Sequence, residues 1–166
     1  MPFKIKTCQI IFVAILGVGL TALFDGKVFA KSVGTLSTFS KAKISVISEI
    51  KTHTFDVELA LTPQQHAQGL TFRRGMGADE GMLFVYKSVT PISMWMKNTF
   101  LPLDILFIAG DGSIIKIVER TVPFSTTNIS SGGSVIAALE LNAGTASRLG
   151  IKEGDKVLAD ILRILN

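Results

Sequence analysis

Asp104 and Glu119 are the residues best placed to form a polar site, provided the chain between them folds back on itself. Asp111-Gly112 lies between two apolar runs and is a strong signal for a two-residue hairpin turn. With that turn, Ile108 faces Ile115, Leu106 faces Ile117 and Asp104 faces Glu119. Two carboxylates set opposite each other repel, so they need a cation, a shared proton or a nearby Arg or Lys. Arg120, Lys97, Arg73 and Arg74 could supply the charge. One reading is a polar pocket at the mouth of a barrel, with Asp104 as its anchor. The other is that Glu119 lies beyond the paired strand and Asp104 bonds backbone amides.

Other groups have their own chemistry. Arg73-Arg74 offers a planar fork suited to carboxylate or phosphate, or to a structural ion pair with Glu80, Asp104 or Glu140. Lys97-Asn98-Thr99 stands at a strand end, where Asn and Thr make turn hydrogen bonds or meet a ligand. Met94-Trp95-Met96 carries soft thioethers, as a Cu(I) site would. In a strand, however, the two Met side chains share one face and Trp95 takes the other, which favours core packing. Trp95 is either a core residue or a stacking surface for a sugar. His53 and His66 are the only histidines, and they lack the spacing of a zinc site. There is no nucleophile-elbow serine and no phosphate loop after a strand. Asn128-Ile129-Ser130 is a glycosylation sequon by pattern alone.

These residues need strands and turns to hold them. Periodicity predicts strands over 44–50 and 54–61, the latter with Phe55, Val57, Leu59 and Leu61 on one face. Thr62-Pro63-Gln64-Gln65 is a capping box with proline at the first helical position, and Gly69 limits that helix to about two turns. Further strands are expected over 82–86, 92–97 (restarted by Pro91), 103–109, 113–119, 135–141 and 156–164. Asn142 should cap a short helix that Gly150 ends in the left-handed conformation. Residues 121–134 read as a long Ser-, Thr- and Gly-rich loop, either a lid or a surface excursion. Runs such as Ile105-Leu106-Phe107-Ile108 are apolar on both faces, as in a covered sheet or closed barrel. The expected fold is α+β, mostly β: a small barrel or strongly curved mixed sheet with two short helices.

Composition sets the outer limits. The chain has 166 residues, 48% of them apolar and 18% charged, which is the balance of one globular domain. Lys4 and Lys6 precede an uncharged stretch from Cys8 to Phe24, and Val28-Phe29-Ala30 offers small residues for cleavage. This is the pattern of a secretory signal peptide over 1–30, and the apolar run is shorter than the ~20 residues of a membrane span. The first thirty residues hold three lysines and one aspartate of the chain's 17 basic and 13 acidic residues, leaving 14 against 12. A domain so nearly neutral, without basic runs interleaved with aromatics, gives no support for nucleic-acid binding. Cys8 is the only cysteine, so the exported part must fold on its apolar core without disulfides. Residues 31–43 read as a flexible lead and 44–166 as one β-rich domain.

Five motifs occur in order: Gly69-Leu70-x-Phe72-Arg73, Glu80-Gly81-Met82-Leu83-Phe84, Trp95-Met96-Lys97-Asn98-Thr99, Pro102-Leu103-Asp104-Ile105 and Leu149-Gly150-Ile151-x-x-Gly154-Asp155. Together they resemble the family known as domain of unknown function 192, over about residues 55–158. The resemblance implies a small, often exported, prokaryotic β-rich domain with no established activity.

Three functions stay open. The first is a non-catalytic binding module for a small polar ligand or cell-envelope component, with Arg73, Lys97, Asn98, Asp104 and Glu119 as candidate ligand-binding residues. The second is an envelope accessory protein that binds another protein. The third is a hydrolase pairing Asp104 with Glu80, Glu119 or Glu140, which requires two carboxyl groups across a cleft. No catalytic residue, cofactor, metal, nucleic acid or membrane span after cleavage is expected, and the protein should be a monomer in the periplasm or outside the cell. N-terminal sequencing of the protein recovered from its native host is expected to begin at Lys31. A cytosolic chain beginning at Met1 would overturn export.

Overall fold

A computed structural model describes residues 36–163, so the expected signal segment and residues 31–35 of the expected lead lie outside the described residues. Seven strands and three short helices follow in order: β1 Ser40–Ile47, β2 Thr52–Ala60, α1 Pro63–Gln68, β3 Glu80–Met94, β4 Leu103–Ile108, β5 Ile114–Val118, β6 Ile129–Asn142, α2 Thr145–Leu149, β7 Lys156–Leu158 and α3 Asp160–Arg163. They form one sheet in the order β5-β4-β6-β3-β2-β1-β7. Only β2 and β3 pair in parallel, because α1 carries the chain across between them; the other pairs are antiparallel. The sheet curls until its outer strands meet. Ser113 bridges Lys156, and Ile114 N–H donates to Asp155 C=O at 2.9 Å. The expected mostly-β, barrel-like α+β fold is the fold observed.

Alternation along the strands creates two cores. Leu83, Val85, Leu106, Ile108, Leu139 and Leu141 point inward and meet Phe55, Val57 and Val157. Their neighbours Met82, Phe84, Ile105, Phe107 and Ala138 point outward into a second core, covered by Leu70 and Met96. This is why the β4 run is apolar on both faces. Gly81 lets β3 and β6 come together, since a Cβ there would lie 2.6 Å from the Glu140 carbonyl oxygen.

Several local expectations match, and others change. Thr62 and Gln65 form the reciprocal capping box on α1. Gly150 has φ +68° at the end of α2. β1 starts at Ser40, so the last part of the expected lead is paired strand, with Ser40 opposite Leu59. Pro91 does not divide two strands. It sits at a register shift within β3, where the missing N–H is tolerated. The second half of the expected 121–134 loop is the start of β6, with Ser134 opposite Pro91 and Ile129 opposite Met94. The final strand stops at Leu158 and gives way to α3, whose Leu162 joins the inner core.

The hairpin between β4 and β5 also differs. Ala109 N–H donates to Ser113 C=O and Gly112 N–H to Ala109 C=O, with Gly112 at φ +83°. This is a three-residue loop with the third residue left-handed, not a two-residue turn. A register shift then sets Ile108 against Ile114, while Leu106 still faces Ile117. β5 ends at Val118, so Glu119 is unpaired and exposed.

Asp104 is fully buried and accepts three backbone amides, from Arg120, Gly144 and Ala146, each at 2.9 Å. Two of these donors begin α2, whose N-cap Gly144 offers no side-chain bond. Asn142, expected to cap this helix, instead donates to the carbonyls of Met76 and Gly77. The carboxylate of β4 therefore caps a helix 40 residues away in sequence. Replacing it orphans three N–H groups in a closed space. Asp104→Ala is expected to lose ~3 kcal/mol or more in chemical denaturation, with Asp104→Asn retaining part of that. A variant as stable as wild type would show that the clamp contributes nothing.

Candidate functional site

The second core is incomplete at one end, leaving a cavity of about 300 Å³ between the end of α1, β3, β6 and the 95–99 segment. This is the small end of the range for ligand cavities, ~300–1,000 Å³. Its wall includes His66, Thr71, Phe84, Tyr86, Trp95 and Glu140. The capping box and Gly69 set where α1 stops, and the turn that follows places Leu70 and Thr71 over the opening. His66 Nε2 lies 2.9 Å from the Ala60 carbonyl and so carries the hydrogen, which leaves Nδ1 as the acceptor in the neutral ring. The imidazole packs against Tyr86, with ring centroids 4.7 Å apart.

Glu140 is the unusual group. It faces Met82 on β3 and Ile105 on β4, both buried and apolar. Only 4% of the residue is exposed, and its carboxyl group makes no hydrogen bond or ion pair among the described residues. Burial raises its pKa from the ordinary 4.5 to about 8, so the group is predominantly protonated at neutral pH. Burial also pushes the Tyr86 hydroxyl to about 12, and the Glu140 charge adds to that rise. A strongly perturbed acid at the floor of a cavity is the usual mark of a functional position.

The five residues singled out from sequence do not assemble into one site. Lys97 alone lines the cavity, at its rim, with Nζ 5.6 Å from the Trp95 ring centroid. Arg73 forms a two-pronged ion pair with Glu58, a partner not among those expected, and its guanidinium also lies near the Phe39 ring. Asn98 turns the chain at φ +59°, and its carbonyl accepts from Phe72 N–H. Asp104 is the amide clamp, and Arg120 reaches it through its backbone rather than its guanidinium. Glu119 lies beyond β5. Asp104 and Glu140 stand on paired strands but on opposite faces of the sheet, and Glu80 accepts from Gly77 N–H, so these acids do not converge. Met96 is fully buried, whereas Trp95 is 54% exposed rather than in the core. Glu140 enters the sequence reading only as a partner for Asp104 or an arginine, not as a ligand-binding residue in its own right. Its signal was a lone charge in Val135-Ile136-Ala137-Ala138-Leu139-Glu140-Leu141, a run apolar on both faces.

The described residues form a barrel-like sheet with a ligand-sized cavity on its outer face. The sequence profile of DUF192, an uncharacterized ACR, matches residues 46–159, and the chain belongs to this family. Solved structures similar to it include the following two. One is a candidate transcription regulator from Sinorhizobium meliloti 1021, with 47% identity over 75% of this chain and 97% of that one and a TM-score of 0.73. The other is a protein of unknown function from Novosphingobium aromaticivorans DSM 12444, with 39% identity over 75% and 89% of the two chains and a TM-score of 0.73. No curated protein matches the chain.

The perturbed acid has a measurable consequence. Between pH 4.5 and 8 the folded protein holds a proton on Glu140 that the unfolded chain has released. Its stabilising contribution is therefore complete below pH 4.5 and is lost as pH rises toward 8, by up to ~1.4 kcal/mol per pH unit. Denaturation at pH 5, 6.5 and 8 should show this decline in wild type. Glu140→Gln should flatten it, and an equal slope in both would refute the assignment.

Proposed function

We propose that this protein is a non-catalytic binding module, exported from the cytoplasm, that holds a small polar ligand in the cavity beside α1. The observation carrying this reading is Glu140, a buried acid without a partner that opens into a ligand-sized space. Burying such a group is unfavourable, and an apolar residue of similar shape would make a more stable fold. Positions that weaken a fold in this way are commonly those that function requires. Glu140 is the only carboxylate on the cavity wall among the described residues, which favours binding over two-carboxylate hydrolysis. Export rests on the basic, apolar and small-residue pattern of residues 1–30.

A second feature favours an accessory role with a protein partner. Phe72, Trp95, Val122 and Phe124 are all exposed. Phe72 and Phe124 have φ +63° and +62°, a costly conformation for bulky side chains, and their amides bond the carbonyls of Asn98 and Thr99. Apolar surface held out in this way suits a contact with another protein.

The two readings separate in a thermal-shift panel of monosaccharides, amino acids, short amines and diols. At saturation, at least one compound should raise the wild-type midpoint by ~5 °C or more. Glu140→Leu should melt higher than wild type at pH 8 yet lose that shift. A panel in which no compound distinguishes the two proteins would overturn the binding reading.

A further inference from the structure

The chemistry of the cavity wall narrows the class of ligand, on the condition that the cavity is a binding site as proposed above. Four titratable groups line it: Glu140 from β6, Tyr86 from β3, His66 from α1 and Lys97 from the 95–99 segment. β4 faces Glu140 with the apolar Ile105. Lys97 is exposed and lies over the Trp95 ring, and among the described residues no cation acts on Glu140 to offset its burial. The floor and walls therefore present electron-rich groups: a carboxyl, the rings of Phe84, Tyr86 and Trp95, the Met94 thioether and the Thr71 hydroxyl. Aromatic faces and a desolvated carboxylate are the two elements that recognise an organic cation.

We propose that the ligand is a small free amine, bound as its ammonium ion, with the cationic head paired to Glu140 and the apolar remainder running past Phe84 and Tyr86 toward Trp95. The buried acid then has its missing partner, supplied by the ligand instead of by the fold. The proton balance follows. The ammonium enters already protonated, Glu140 gives up its own proton to become the carboxylate, and that proton leaves to solvent. One amine bound at neutral pH thus releases up to one proton. A neutral hydroxyl ligand would accept a hydrogen bond from the protonated acid and release none.

Titration calorimetry of the purified domain at pH 7 tests this with 3-methylbutylamine, its neutral counterpart 3-methylbutanol, and glucose, in phosphate and in Tris. The amine is expected to bind wild type at least tenfold tighter than the alcohol. The dependence of its heat on buffer ionisation should report about one proton released per amine. Glu140→Gln should weaken the amine at least tenfold and leave the alcohol unchanged, with a melting curve confirming that the variant is folded. The proton count is read on wild type, so it stands whatever the variant does. If alcohol or glucose binds as well as the amine and Glu140→Gln reduces it, the amine assignment falls and the binding module remains. Amine binding that releases no proton, or that survives Glu140→Gln, also overturns the assignment. If none of the three binds wild type, the amine assignment fails, and the thermal-shift panel decides the module reading separately. A lysine-bearing peptide that binds where 3-methylbutylamine does not would assign the site to a protein partner and refute the free amine.

Discussion

The end of the barrel depends on one buried carboxylate. Asp104 leaves water completely, and the cost of doing so is offset by three amides at 2.9 Å. Those amides belong to the chain leaving β5 and to the start of α2, so one side chain fixes three segments that are remote in sequence. A helix of five residues has little stability of its own and no side-chain cap at Gly144. It forms here because β4 brings it an acceptor and because Ala146 joins the inner core. Thr121 strengthens the same corner, exchanging bonds with both the N–H and the C=O of Leu103.

Glu140 has the same functional group on the adjacent strand and the opposite condition. Asp104 pairs with Leu141, so Glu140 falls one residue out of phase and projects from the other face. There it meets aliphatic and aromatic side chains and, among the described residues, no amide. One carboxyl group is saturated by the fold and the other is left without a partner there. That contrast, and not the number of acids in the chain, separates a structural position from a candidate ligand position.

Much of the architecture was legible in the sequence because it depends on local rules. The capping box of α1, the Gly150 stop and the two-faced apolar strands are short-range patterns that the fold keeps. The site was less legible because it depends on partners across strands. Asn142 looks like a cap by its neighbours, but it is drawn to the Met76 and Gly77 carbonyls. Arg73 found Glu58 because the parallel β2–β3 pairing, made through a crossover, brings those segments together. The Asp104–Glu119 pairing failed because β5 ended one residue too soon. Serines and glycines of residues 129–134 have low strand propensity, yet the long partner β3 imposes the ladder on them. Glu140 could have been found by asking where the single charge goes in a strand buried on both sides.

The join between β5 and β7 has a different kind of consequence. The Ser113–Lys156 bridge, the neighbouring backbone bonds, the Lys156–Asp111 ion pair and the Glu153 carboxylate on Ile117 N–H hold it, and β7 itself pairs with β1 over three residues. A seam this short is expected to open before the long β3–β6 ladder does. Solvent would enter the inner core along this seam, and backbone amides there would exchange before those beside Glu140. The two faces of the sheet would then respond differently: opening at the seam reaches the inner core first and leaves the cavity wall on the β3–β6 ladder in place.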